Sequence, residues 1–153
     1  MKLKLLVVGK PKESFIVEGV KKYLRRVNRH VAVELIHLPE AKGLTDEGSR
    51  ESSTQRISKA LGERDRVILL NEKGQSMDSP AFSRWFYDRL EGASGKLVFV
   101  VGGPFGVGED VKCRADDLLS LSPMTLTHEM ALLFLLEQLY RSVMIRLGTD
   151  YHH

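Results

Sequence analysis

The 153-residue sequence is poor in cysteine and in long hydrophobic runs, and each shortage excludes a class of protein. Its one cysteine, Cys113, can form neither an internal disulfide nor a zinc site built on paired cysteines. The five histidines lack metal-ligand spacing along a helix, so we expect no metal centre. An apolar run at residues 130–136 is far shorter than the roughly 20 residues that cross a bilayer. The N-terminal apolar stretch is too short for a signal peptide, so we expect a soluble, cytoplasmic protein.

An excess of charge of one sign is also missing. Lysine and arginine number 23 against 20 aspartates and glutamates, which leaves a net charge of +3. This balance neither requires nor excludes a nucleic-acid partner. Hydrophobic residues make up 42% of the chain, as in ordinary globular proteins, and the length fits a single domain over residues 1–153.

Short apolar runs alternate along the chain with segments of helical period. Strands are predicted at residues 3–8, 31–38, 66–70, 96–101 and 118–122. Helices are predicted at residues 13–27, 49–61, 79–90 and 128–147, with a short one from residue 109. This alternation predicts an α/β fold with a largely parallel sheet flanked by helices. The strand at 96–101 is apolar after its lysine, which places it at the centre of the sheet.

A glycine-rich loop, residues 102–108, follows this central strand, where open α/β sheets bind their ligands. It matches neither the phosphate-binding loop nor the full dinucleotide fingerprint. Glu109 and Asp110 occupy the helix start that would hold a phosphate, and they would repel it. The loop is therefore either a tight turn or a close-approach surface for an uncharged or cationic cofactor.

A second loop, residues 122–127, joins a predicted strand to the last helix and has the sequence SPMTLT. Its hydroxyls, its backbone amides and the apolar Met124 and Leu126 suit an adenine ring, which is hydrogen-bonded at its edge and packed on its faces. The simpler interpretation is a helix start at which Thr127 is the N-cap.

Four basic residues share one face of the first predicted helix, opposite its apolar side. They are Lys22, Arg25, Arg26 and Arg29. The face is either a solvated surface or a row of contacts for RNA phosphates.

The last predicted helix is apolar without interruption over residues 130–136. A helix that is apolar all round is buried on every side, which a small domain achieves with a subunit partner as well as a sheet. Two-fold dimers are the commonest oligomers, so we expect a homodimer.

Several ordered motifs resemble those of a known family. They are VVGGPFG at 100–106, LSLSPMTLTH at 119–128, EQLYRS at 137–142 and YH at 151–152. Over nearly its whole length the sequence is similar to the SPOUT-class ribosomal large-subunit pseudouridine N3-methyltransferases. The resemblance implies a SPOUT-type fold with a C-terminal trefoil knot, a homodimer, and S-adenosyl-L-methionine bound within the knot. It also implies a substrate, N3 of a pseudouridine in large-subunit rRNA within the assembled ribosome.

The resemblance also implies roles for individual residues. Those of the cofactor site correspond to Leu70, Gly103, Ser122, Pro123, Met124, Thr125, Leu126 and Thr127. His128 and His152 are the candidates for a general base that removes the N3 proton as N3 attacks the methyl group in line. Arg141 and Tyr151, within the motifs, join the basic helix face as candidate RNA contacts.

The sequence departs from the family pattern at three positions. Thr127 stands where proline is common, Leu132 where arginine is common, and His153 where lysine or arginine is common. The two missing basic residues favour an alternative function, a non-catalytic ribosome-associated RNA-binding protein on the same scaffold.

Overall fold

The computed structural model describes residues 2–153, and its strands and helices alternate along the chain. The strands are β1 (Leu3–Val8), β2 (Val33–Leu38), β3 (Arg66–Gln75), β4 (Leu97–Val101) and β5 (Asp117–Leu119). The helices are α1 (Ser14–Asn28), α2 (Asp46–Ala60), α3 (Ser79–Gly92), α4 (Glu109–Arg114) and α5 (His128–Arg146). The strands form one sheet in the order β2-β1-β4-β3-β5, and every pair is parallel. The prediction of an α/β fold with β4 at its centre is confirmed.

Helices cover both faces of the sheet because successive strand residues point to opposite sides. Leu5 and Val7 of β1 pack in one cluster with side chains of α1, α3 and α5. Leu6 and Val8 pack in a second cluster with Ile57 of α2 and Val111 of α4. The sheet is therefore the middle of three layers. Within residues 2–153, no helix is both long and apolar enough to cross a membrane.

Strand β2 begins at Val33 instead of residue 31, and β5 ends at Leu119 instead of residue 122. Two further boundaries differ from the prediction for identifiable reasons. Strand β3 continues to Gln75 instead of ending at residue 70, because its irregular extension pairs with Leu119 of β5. Helix α2 begins at Asp46, capped by the Thr45 hydroxyl, which accepts the Gly48 N–H at 3.0 Å. Its first turn carries no apolar residue for the core, so periodicity could not locate this start.

The β3 extension lies directly against the chain that leaves β5. A Cβ atom on Gly74 would lie 2.6 Å from the carbonyl carbon of Leu118 and 2.7 Å from the nitrogen of Leu119. The Ser120 N–H donates to the Gln75 carbonyl at 2.9 Å. Only a glycine leaves room for this close contact between the two backbones.

Within one chain, helix α5 is covered over only part of its apolar surface. Leu132, Leu135 and Leu136 are fully buried against the sheet and its neighbours. Met130 and Phe134 remain exposed, and so does Phe15 at the start of α1, at 61%. The helix therefore has a buried side and an uncovered apolar side within one chain.

Candidate functional site

The two predicted loops and the end of β3 enclose one cavity of 1130 Å³ at the carboxyl edge of the sheet. Of the residues that the resemblance assigned to the cofactor, those lining it are Leu70, Gly103, Ser122, Met124, Thr125, Leu126 and Thr127. Pro123 belongs to the same loop but is exposed and does not line the cavity. Strands that are adjacent in the sheet bring together segments that lie far apart in the sequence.

Hydroxyl groups hold the 122–127 loop in place. The Ser122 hydroxyl accepts the Met124 N–H at 2.9 Å, and the Thr125 hydroxyl donates to Glu72 at 2.7 Å. The Thr127 hydroxyl caps α5 by accepting the Met130 N–H at 3.2 Å, as the simpler interpretation of this loop predicted. Met124 is 78% exposed at the mouth of the cavity, where its side chain is free to cover a ligand.

The charged side chains that line the cavity are acidic. Glu13, Glu72 and Glu129 lie in its wall, and no lysine or arginine of residues 2–153 joins them. Glu129 also accepts the Lys12 N–H, which ties the start of α5 to the start of α1. A wall of this composition disfavours phosphate groups and favours a ligand with positive charge.

The two candidate histidines lie in different cavities of the chain. His128 is the first residue of α5, lines the large cavity, and points its Nε2 toward Gly9 at the end of β1. His152 lines a cavity of 480 Å³ beside Phe134 and Gln138. Leu119 and Leu121 line both cavities, so a short stretch of chain separates them.

His152 already has a partner for one ring nitrogen. Arg141 Nη1 lies 3.2 Å from His152 Nδ1. Because a guanidinium group can only donate, Nδ1 must accept this hydrogen bond, which places the ring proton on Nε2. In this arrangement His152 presents a hydrogen-bond donor, and not a free base, to the cavity.

The C-terminal tail is held on α5 by Glu137. One carboxylate oxygen of Glu137 accepts from Arg141 Nη2 at 2.6 Å and from the Tyr151 hydroxyl at 2.9 Å. Burial and the hydrogen bonds to Glu137 and Tyr23 raise the pKa of Tyr151 well above its ordinary value. The Arg141 guanidinium lies 4.7 Å from the centre of the Tyr151 ring. Arg141 and Tyr151, both candidate RNA contacts, are therefore engaged with each other and with Glu137.

Sequence analysis missed Glu137 as a residue of the site. The signal was present, because Glu137 and Arg141 are four residues apart on a helix and so lie on one face. The spacing of residues does not reveal that the C-terminal tail packs against this pair.

The basic face of α1 is divided by its contacts. Lys22, Arg25 and Arg29 are exposed. Arg26 is partly buried, with its guanidinium 5.5 Å from the Tyr23 ring centre and 5.4 Å from that of Tyr140. Arg26 thus packs against two aromatic rings, and Lys22 Nζ lies 5.8 Å from the centre of the Tyr23 ring. Arg25 and Arg29 present their charges to solvent.

Leu132, one of the departures from the family pattern, lies in the core with 0% of its surface exposed. In this chain the leucine is therefore part of the apolar core, where it packs with its neighbours rather than meeting solvent. Among residues 2–153, no cluster of three or more His, Cys, Asp or Glu side chains could hold a metal ion.

Comparison with known proteins assigns the chain to a class of enzyme. The family model described as "Predicted SPOUT methyltransferase" matches residues 1–152, so the chain belongs to this family and is a methyltransferase. A relative from Geotalea daltonii is 39% identical over 153 residues, with 100% of both chains covered. One from Pseudothermotoga lettingae is 40% identical over 154 residues, again with 100% of both covered. Both are named "Ribosomal RNA large subunit methyltransferase H".

Two solved structures share the fold. A "probable methylase family protein" from Haemophilus influenzae superposes with a TM-score of 0.58 at 10% identity, covering 99% of this chain and 70% of that one. A "Probable Methyltransferase" from Bordetella pertussis superposes with a TM-score of 0.55 at 12% identity, covering 93% of both. The resemblance to SPOUT methyltransferases that the motifs indicated is confirmed.

Proposed function

We propose that this methyltransferase uses S-adenosyl-L-methionine to methylate N3 of a pseudouridine in large-subunit rRNA, within the assembled ribosome. The observation that carries the proposal is the cavity at the carboxyl edge, which gathers Leu70, Gly103 and the 122–127 loop. The names of the full-length relatives support rRNA as the substrate class.

The cavity has the chemistry that this cofactor requires. Leu70, Leu119 and Leu126 supply apolar surface for an adenine ring, and the hydroxyl-rich loop supplies polar groups. Three carboxylates without a basic side chain suit a ligand that carries a sulfonium and an ammonium group. When bound, S-adenosyl-L-methionine supplies an electrophilic methyl group.

His128 is the residue of this chain best placed to accept the N3 proton, because it lines the same cavity. His152 lies in the second cavity, and it could serve as the base only after Arg141 releases its Nδ1. In a homodimer, the tail that carries His152 would reach the partner's site, where an Nε2–H could instead orient the base by donating a hydrogen bond.

Two further features belong to this proposal. Membership of the SPOUT family is the ground on which we propose a C-terminal trefoil knot. The uncovered apolar side chains of Phe15, Met130 and Phe134 support a homodimer that buries part of α5. A cytoplasmic location follows from the ribosomal substrate.

The test measures cofactor binding and methyl transfer separately. S-adenosyl-L-methionine at about 100 times its Kd should stabilise the protein by about 2.7 kcal/mol, while ATP and NAD should not. Mass spectrometry of rRNA should show one methyl group missing in a deletion strain and restored by complementation. A shift with ATP but none with S-adenosyl-L-methionine would refute the cofactor. Ribosome binding without methyl transfer would support the RNA-binding alternative.

A further inference from the structure

The glycine-rich loop 102–108 is a wall between two cavities. One is the 1130 Å³ cavity proposed for the cofactor, and the other is a cavity of 730 Å³ between the loop and α2. Gly102 and Gly106 line both. Any displacement of the loop toward α2 therefore changes the shape of the cofactor site.

Helix α2 holds this loop at two points. The Thr54 hydroxyl accepts the Gly108 N–H at 2.7 Å and donates to the Arg50 carbonyl at 2.7 Å. Arg50 Nε donates to the Phe105 carbonyl at 2.9 Å. Because the Thr54 proton is used within the helix, the oxygen is left to accept from the loop, which fixes the direction of the contact.

The contact at Gly108 is also tight. A Cβ atom at this position would lie 3.0 Å from the Thr54 oxygen. Gly108 is the N-cap residue of α4, and the Thr54 oxygen satisfies the N–H of this residue itself. Thr54 is only 7% exposed.

The buried side of α2 differs from those of the other helices. Its buried residues are Ser49, Ser53, Thr54 and Ile57, of which only Ile57 is apolar. Packing alone does not require a hydroxyl here, since valine has nearly the shape of threonine. The hydroxyl of Thr54 has a distinct task, which is to bind the loop.

We propose that Thr54 is a positioning residue for the cofactor site, and the inference rests on the function proposed above. Residues 103–106 form a turn that is closed by the 3.0 Å hydrogen bond from the Gly106 N–H to the Gly103 carbonyl. By holding Gly108, Thr54 keeps this turn against the cofactor cavity. Without this acceptor the loop is mobile in the free protein. The free-energy cost of ordering the loop when the cofactor binds then reduces cofactor affinity.

The decisive variant is Thr54→Val, which keeps the shape and removes the acceptor. Calorimetric titration should show the Kd for S-adenosyl-L-methionine raised by about tenfold, the usual cost of an unpaired buried donor. The kcat at saturating cofactor should stay within about twofold, because the reacting groups are untouched. Thr54→Ser, which retains the hydroxyl, should restore the wild-type Kd.

The matched control is Thr45→Val, which removes the N-cap of the same helix without touching the loop. It should lower the melting temperature and leave the Kd unchanged. Gly108→Ala tests the same contact from the loop side and should also raise the Kd for S-adenosyl-L-methionine. It replaces Thr54→Val as the test variant if Thr54→Val does not fold.

Wild-type affinity in Thr54→Val, or in Gly108→Ala where that variant replaces it, would overturn the inference. So would an equal loss of affinity in Thr45→Val, since helix stability would then explain the effect. If the unsubstituted protein binds no S-adenosyl-L-methionine, the proposed function itself fails, which is a different result.

Discussion

The two edges of the sheet use charge in opposite ways. At the amino edge, Asp117 accepts from Arg89 at 3.0 Å and from Arg66 at 3.2 Å. At the carboxyl edge, Glu13 and Glu72 line a cavity that has no basic side chain within residues 2–153. Paired charges stabilise the first edge, whereas the second keeps unbalanced charge and exposed apolar groups at a ligand site.

The same contrast affects ionisation. Burial tends to raise the pKa of Asp117, but the hydrogen bonds and charges of Arg89 and Arg66 outweigh it and hold this pKa below its ordinary value. Folding therefore stabilises the ionised carboxylate at the amino edge. The comparison teaches that substitutions at the amino edge should change stability, and those at the carboxyl edge should change function as well.

The largest effect should come from Gly74→Ala, which disrupts the carboxyl edge where Gly74 packs against the backbone of β5. The new methyl group would lie 2.6 Å from the Leu118 backbone, which cannot move aside as a side chain could. We expect a loss of more than about 3 kcal/mol of stability or a failure to fold, measured by urea denaturation. Gly92→Ala is the control, since a Cβ there meets nothing within 4 Å. A Gly74→Ala protein as stable as this control would contradict the close contact between Gly74 and the β5 backbone.

Removal of residues 151–153 should separate binding from chemistry. The deletion removes His152 and the Tyr151 contact with Glu137 but leaves the cofactor cavity complete. If His152 acts at the reacting base, either as an acid–base group or by orienting that base, methyl transfer to ribosomes should fall by about 100-fold or more while cofactor affinity is kept. His153→Lys, which restores the usual family residue, should be at least as active as the unsubstituted protein. Full activity of the truncated protein would leave His128 as the remaining histidine candidate.

Asp117→Asn should weaken the amino edge alone. We expect a loss of about 1–3 kcal/mol at pH 7, because hydrogen bonds to a charged group are removed, with unchanged cofactor affinity. The pKa of Asp117 is lower in the folded state, so its contribution is present above the unfolded value of about 3.9 and is lost as pH falls through the folded pKa. The stability difference between the two proteins should thus shrink below about pH 4. A constant difference down to pH 2 would contradict this origin.

The smallest effect should distinguish neighbours on α1. Replacing Arg25 and Arg29 with glutamine should flatten the salt dependence of ribosome binding by about 0.7–0.9 in log–log slope for each phosphate that is no longer neutralised. Arg26→Gln should leave that slope nearly unchanged and lower stability by about 0.5–1 kcal/mol, because its guanidinium packs on Tyr23 and Tyr140. An equal reduction of the log–log salt slope by each of the three substitutions would show that Arg26 also binds phosphate.

Local sequence predicted most of the fold because the strands are apolar runs and most helices have one apolar side. It did not predict the start of α2, because the first turn of this helix carries no apolar residue for the core. Nor did it predict the polar β3 extension, where Gln75 pairs with Leu119 of β5. Such contacts depend on partners far away in the chain, to which local periodicity is insensitive.

The candidate site divides in the same way. The residue types of the glycine-rich loop, together with Glu109 and Asp110, argued against a phosphate site and left open a tight turn or a surface for an uncharged or cationic cofactor. Only the tertiary structure decided that these loops share one cavity, that His128 lies in it while His152 pairs with Arg141, and that Thr54 supports it from behind. Chemical character belongs to each residue, but proximity is created when the parallel strands bring their carboxyl ends to one edge.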